Sequence, residues 1–195
     1  MHTWMLQLAD VRDAAVTGDL PAVQRGAQRW LDTLEGDVDP DWQTQVADVR
    51  REATTLTQAA ALPEAADAIA RLAGSCGRCH EARGVADRVR DRLPPDTDPP
   101  EGDDASATMR QHGWASARMW EGLVGPSPTR WTRGTAMFVI LPDCPDPQAG
   151  RDDGRCQRAR SLARRAHVVE APEGRVSLYG RLLSTCADCH TAGSR

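Results

Sequence analysis

Apolar residues return at helical spacing in two runs of four segments, separated by short breaks of Gly, Asp and Pro. The first run covers 2–17, 20–34, 41–60 and 63–82, broken by "TGD", "EGDVDPD" and "ALP". The second covers 106–124, 128–140, 152–169 and 172–191. Pro63 and Pro172 suit first-turn positions, where a missing N–H costs nothing. Breaks this short make sequential helices antiparallel neighbours. Between the runs, residues 93–105 ("LPPDTDPPEGDDA") are rich in proline and acid and lack apolar periodicity, so they read as a linker.

Composition sharpens this into an all-α prediction. Aromatic residues are only 4% of the chain, with one Tyr and one Phe, so a strand core would lack its usual filling. Alanine, arginine, leucine and glutamine carry the long segments, and all are strong helix formers. A formal net charge of −4 with interspersed signs does not suggest a nucleic-acid partner. No apolar run approaches the ~18 residues that a membrane-spanning helix requires.

The two runs repeat each other. "HTW" at His2 and "HGW" at His112 each open a run, and His2 to Cys76 and His112 to Cys186 both span 74 residues. "LPEAADAIARLAGSCGRCH" parallels "APEGRVSLYGRLLSTCADCH", and "RGA" at Arg25 parallels "RGT" at Arg133, followed by Trp30 and Phe138. The expected organisation is therefore two tandem four-helix-bundle-like units related by internal duplication, 1–92 and 106–195, joined by 93–105.

Each repeat ends in CxxCH, the signature of covalent haem c attachment. On a helix, Cys76, Cys79 and His80 share one face, as do Cys186, Cys189 and His190. Two thiols can then bond the vinyl groups while His80 or His190 reaches the iron as proximal ligand. A zinc site would have to bring the two CxxC pairs together and would leave both histidines idle. A thioredoxin-like pair belongs beside a strand–helix pattern that is missing here. Two haem c groups are the expected cofactors.

His2 and His112 are the histidines that repeat outside these motifs, and they are the expected distal iron ligands. Met5, one turn from His2, is the rival, but its counterpart is Ala115; Met119 and Met137 do not follow the repeat either, and His167 has no partner in the first half. Trp4 and Trp114 are candidates for packing a haem edge. Arg71 and Arg181, each five residues before the first cysteine, are candidates for pairing with propionates. Cys144 and Cys156 flank a Pro, Gly and Asp loop in which a disulfide would contribute roughly 3 kcal/mol. The basic stretch 155–165 is a solvated face or a docking patch.

A CxxCH near the end of a four-helix unit, carried here by Cys76, Cys79, His80, Cys186, Cys189 and His190, resembles the class II c-type cytochromes, the cytochrome c-prime group. The resemblance implies a helical-bundle haem protein with its distal side on the first helix. Members of that group place methionine there or leave the position open, whereas this chain places His2 and His112. With both irons six-coordinate, the expected activity is single-electron transfer and not enzymatic turnover. Gas binding or a peroxidase-type reaction would require an exchangeable distal ligand. Expected partners are redox proteins, or other copies in a larger electron conduit. Thioether attachment implies a periplasmic or extracellular location; the opening residues carry no export signal, which fits a chain numbered after its removal.

Overall fold

The structure, a computed structural model, describes residues 2–34, 42–140 and 154–193, with side chains over 7–34, 42–140 and 154–191. Among the described residues there are nine α-helices and no strand. They are α1 (His2–Val16), α2 (Leu20–Leu34), α3 (Gln43–Gln58), α4 (Leu62–Ala82), α5 (Ala86–Arg90), α6 (Ala105–Val124), α7 (Pro128–Ile140), α8 (Arg155–Val168) and α9 (Pro172–Gly193).

Local chemistry explains the boundaries. Asp104 caps α6 by accepting from the Ala107 amide at 2.6 Å, and Asp19 accepts from Ala22 at 2.9 Å before α2. Pro63 sits in the first turn of α4, and Glu64 folds back onto the Ala60 amide at 2.8 Å. Helix α5 was not expected from the sequence. It forms because Gly84, at φ 63°, turns the chain after α4, a left-handed conformation that costs glycine little. The Val85 and Gly84 amides then close a Schellman-type cap on the carbonyls of His80 and Glu81, both at 2.9 Å.

Consecutive helices pack on one another from α1 to α4 and again from α6 to α9. Helix α4 also runs along α9, and it packs on α6 while α1 packs on α9. Small residues make the α4–α9 approach close. A β-carbon at Gly74 would lie 2.5 Å from Val176, and one at Gly180 would lie 3.3 Å from Ala70. Positions 70 and 74 thus face 180 and 176, so the two helices are antiparallel. Leu56, Ile69, Leu72, Met119, Trp131, Tyr179, Leu182 and Leu183 belong to one buried cluster that draws on both halves of the chain.

The segment 93–104 joins the halves as a fastened strap. Gln111 donates to the carbonyls of Pro100 and Gly102, both at 3.0 Å, Arg130 to Pro94 at 2.9 Å, Arg118 to Pro95 at 3.2 Å and Arg133 to Thr97 at 3.3 Å. A proline-rich segment has few N–H groups for its own carbonyls, here Thr97 to Pro95 at 3.0 Å, so donors on α6 and α7 satisfy the others. Asp96 is held below the usual carboxylate range. Burial alone would raise it, but a hydrogen bond and charge from Arg133, with Arg130 and Arg118, outweigh that.

A depressed carboxyl contributes stability that is fully present above its unfolded value, about 3.9, and is lost as pH falls through the folded value. Urea midpoints should therefore fall on acidification below about pH 4, and the fall should be smaller in Asp96→Asn. An identical acid profile for the two proteins would show that Asp96 is not part of the fastening.

Candidate metal centres

The last turns of α4 present Cys76, Cys79 and His80 together, all half-buried and with both thiols free. His80 Nδ1 lies 2.7 Å from the Val124 carbonyl. That carbonyl ends α6, where the last four C=O groups have no intrahelical donor, so it is available to a side chain. With Nδ1 donating to it, the proton is fixed on that nitrogen and Nε2 keeps its lone pair for a metal. Burial lowers the His80 pKa, with the Val124 bond acting in the opposite sense, so the ring favours the neutral, ligating form.

Gly77 makes this contact possible. A β-carbon there would lie 2.2 Å from the Leu123 carbonyl oxygen, so only glycine lets α4 approach the end of α6 this closely. The glycine of "CGRCH" is therefore a packing requirement. In "CADCH" the same position is Ala187, and the small residue is on the other side of the contact: Gly18, at φ 81°, lies against Thr191 and the Ala187 carbonyl.

Both leading cysteines are half-buried, with thiols raised above their ordinary range. Burial, then the neighbouring Cys79, pushes Cys76 up to about 12, and burial with Cys189 pushes Cys186 up to about 12. Cys79 is also raised by burial, with Arg83 acting against it. A redox-active CxxC needs a thiol lowered into thiolate, and these are shifted the other way. The zinc alternative fails on distance. From the facing pair Ala70 and Gly180, His80 and His190 each lie ten residues further along antiparallel helices, which separates them by about 30 Å at 1.5 Å per residue. Among the described residues no group of three or more His, Cys, Asp or Glu side chains gathers to hold an ion.

In the second half, His112 on α6 is half-buried and stacks on Phe138 of α7, with ring centroids 5.4 Å apart and planes 25° apart. Its pKa is lowered first by burial and then by the charge of His190, so these two imidazoles lie within electrostatic reach of each other. Phe138, the one phenylalanine, thus orients His112, a role that its matched position with Trp30 did not reveal. The side chains of His2, Trp4 and Met5 lie outside those described. Met119 is fully buried beneath Gly134, and Met137 is buried in the core.

The remaining candidates are placed as follows. Trp114, two residues and about 200° round the helix from His112, lies with the guanidiniums of Arg118 and Arg133 over its ring at 5.7 and 5.5 Å. It therefore packs toward the strap. Arg71 Nε pairs with Glu52 of α3 at 2.8 Å. Arg181 is exposed and lines a cleft with Arg158. His167 meets the Thr135 hydroxyl at 3.0 Å. Cys156 is disulfide-bonded, while Cys144 lies outside the described residues.

The donor set fits haem c: two adjacent thiols and a histidine with its Nε2 free, on one helix face. When bound, such a group supplies a reversible one-electron couple at its iron. No helix among the described residues is long and apolar enough to cross a membrane. Comparison with family models, with curated proteins and with solved structures finds no match for this chain.

Proposed function

We propose that the chain is a dihaem c-type cytochrome that carries single electrons between redox proteins outside the cytoplasmic membrane. Cys76 and Cys79 would hold one haem, with His80 as its proximal ligand; Cys186 and Cys189 would hold the other, with His190. The two centres belong to a duplicated unit of four helices, α1 to α4 and α6 to α9, with the haem helix last, as in the class II c-type cytochromes. His112 and His2 would be the second histidine for each haem. Two imidazoles per haem would leave no position for a substrate, which favours relay over peroxidase chemistry or gas binding.

The observation that supports this reading is the electrostatic coupling of His112 to His190. Seventy-eight residues separate them in sequence, yet α6 and α9 bring the two rings into mutual electrostatic reach. Phe138 stacking limits the rotation of His112, so the ring is held and not left to solvent.

The test is export of the full chain in a host that matures c-type cytochromes, followed by intact mass and reduced-state spectra. The expected mass gain is that of two haems, with low-spin spectra throughout. In His112→Ala one of the two haems should become high-spin and bind CO. A spectrum that stays fully low-spin in that variant would reject His112 as a ligand.

A further inference from the structure

A cleft of about 290 Å³ opens between the first turns of α4, the middle of α8 and the middle of α9. Pro63 and Leu162 line it as apolar walls; Arg158, Arg181 and Ser184 bring donors, and Asp67 contributes one carboxylate. Helix α8 carries five arginines and no acidic residue, so it does not neutralise Arg158 itself. Arg158 and Arg181 are exposed, and among the described residues neither has a carboxylate partner. Several arginines elsewhere are paired with carboxylates: Arg71 with Glu52, Arg118 and Arg130 with Glu121, and Arg133 with Asp96.

We infer that this cleft binds a small oxyanion of the phosphate type between Arg158 and Arg181. Guanidiniums present N–H forks that match phosphate oxygens, and two lining one cleft, Arg158 from α8 and Arg181 from α9, can both donate to one anion. Ser184 adds a hydroxyl donor, whereas the Thr185 hydroxyl is already committed to the Arg181 carbonyl at 2.9 Å. At about 30 Å³ per water, the volume holds a phosphate with several waters. Asp67 leaves the lining with one net positive charge, so it weakens the site without reversing its sign.

The cleft is separate from the metal centre. Arg181 precedes Cys186 by five residues, which places it about 140° round α9 from the first thiol. The inference therefore does not depend on haem, and it assigns Arg181 to a free anion and not to a propionate.

Inorganic phosphate and a phosphate monoester are titrated as separate arms into the full exported chain by calorimetry, at constant ionic strength against chloride. One-to-one saturable binding is expected in at least one arm, the tighter arm identifying the source. Arg158→Gln and Arg181→Gln should each weaken it roughly ten- to hundredfold, since a charged hydrogen bond contributes roughly 1.5–3 kcal/mol. Asp67→Asn should tighten binding severalfold, and the haem spectrum should not change in any of the three. Binding in neither arm, or equal affinity in both arginine variants and the parent, would overturn the site. A shifted haem spectrum in Arg181→Gln would return that residue to a propionate and overturn it as well.

Discussion

On the proposed dihaem reading, replacing Cys186 and Cys189 by alanine should halve the covalently bound haem per chain and leave the centre at Cys76 and Cys79 with its spectrum and potential unchanged. The reciprocal pair, Cys76→Ala with Cys79→Ala, should do the converse. The reason is separation along the antiparallel α4–α9 pair. Two unit charges about 30 Å apart interact by roughly 0.5 kcal/mol at an effective dielectric of 20, before screening over a Debye length near 8 Å reduces it further. Intact mass counts the haems, and a spectroelectrochemical titration reads the remaining potential. A change in the surviving centre well beyond that small coupling would mean that the two sites are closer or mechanically linked.

Glu121→Gln should cost about 3–5 kcal/mol of stability, the effect of leaving buried charge without its partner. Glu121 is 5% exposed at its side chain and accepts from Arg118 at 2.8 Å and also from Arg130, whose side chains are 6% and 12% exposed. Burial pushes the Glu121 carboxyl up, while Arg118 and Arg130 pull it back. Glutamine keeps the shape but removes the charge, so both guanidiniums stay desolvated, with Asp96, 3.5 Å from Arg118, as the remaining carboxylate partner among the described residues. They also hold the strap through Pro94 and Pro95, so the same change should expose segment 93–104 to protease. Urea unfolding monitored by helix content gives the energy; a loss below about 1 kcal/mol would show that water replaces the carboxylate at this site.

The helical periodicity, the first-turn prolines and the two CxxCH sequences are local properties, and they were legible because each depends on residues three or four apart. The 74-residue spacing from His2 and His112 to the cysteines was legible for a related reason: a repeat preserves register. What stayed hidden depends on contacts between distant segments. Gly84 gave no advance sign of α5, because a single glycine after a helix also suits an open loop. The strap looked like a tether because proline and acid predict the absence of periodic structure and say nothing about which donors will bind its carbonyls.

By itself, the sequence determined that this chain is helical and where thiols and imidazoles sit along each helix, since side-chain direction on a helix follows from 3.6 residues per turn. Only the tertiary structure decided that α4 and α9 lie antiparallel with His80 and His190 at opposite ends, that His80 spends Nδ1 on the Val124 carbonyl, and that Arg71 meets Glu52 while Arg181 has no acid partner among the described residues. Those outcomes follow from how closely helix faces can approach, and that is set by pairs such as Gly77 with Leu123 and Gly180 with Ala70, which no local pattern joins.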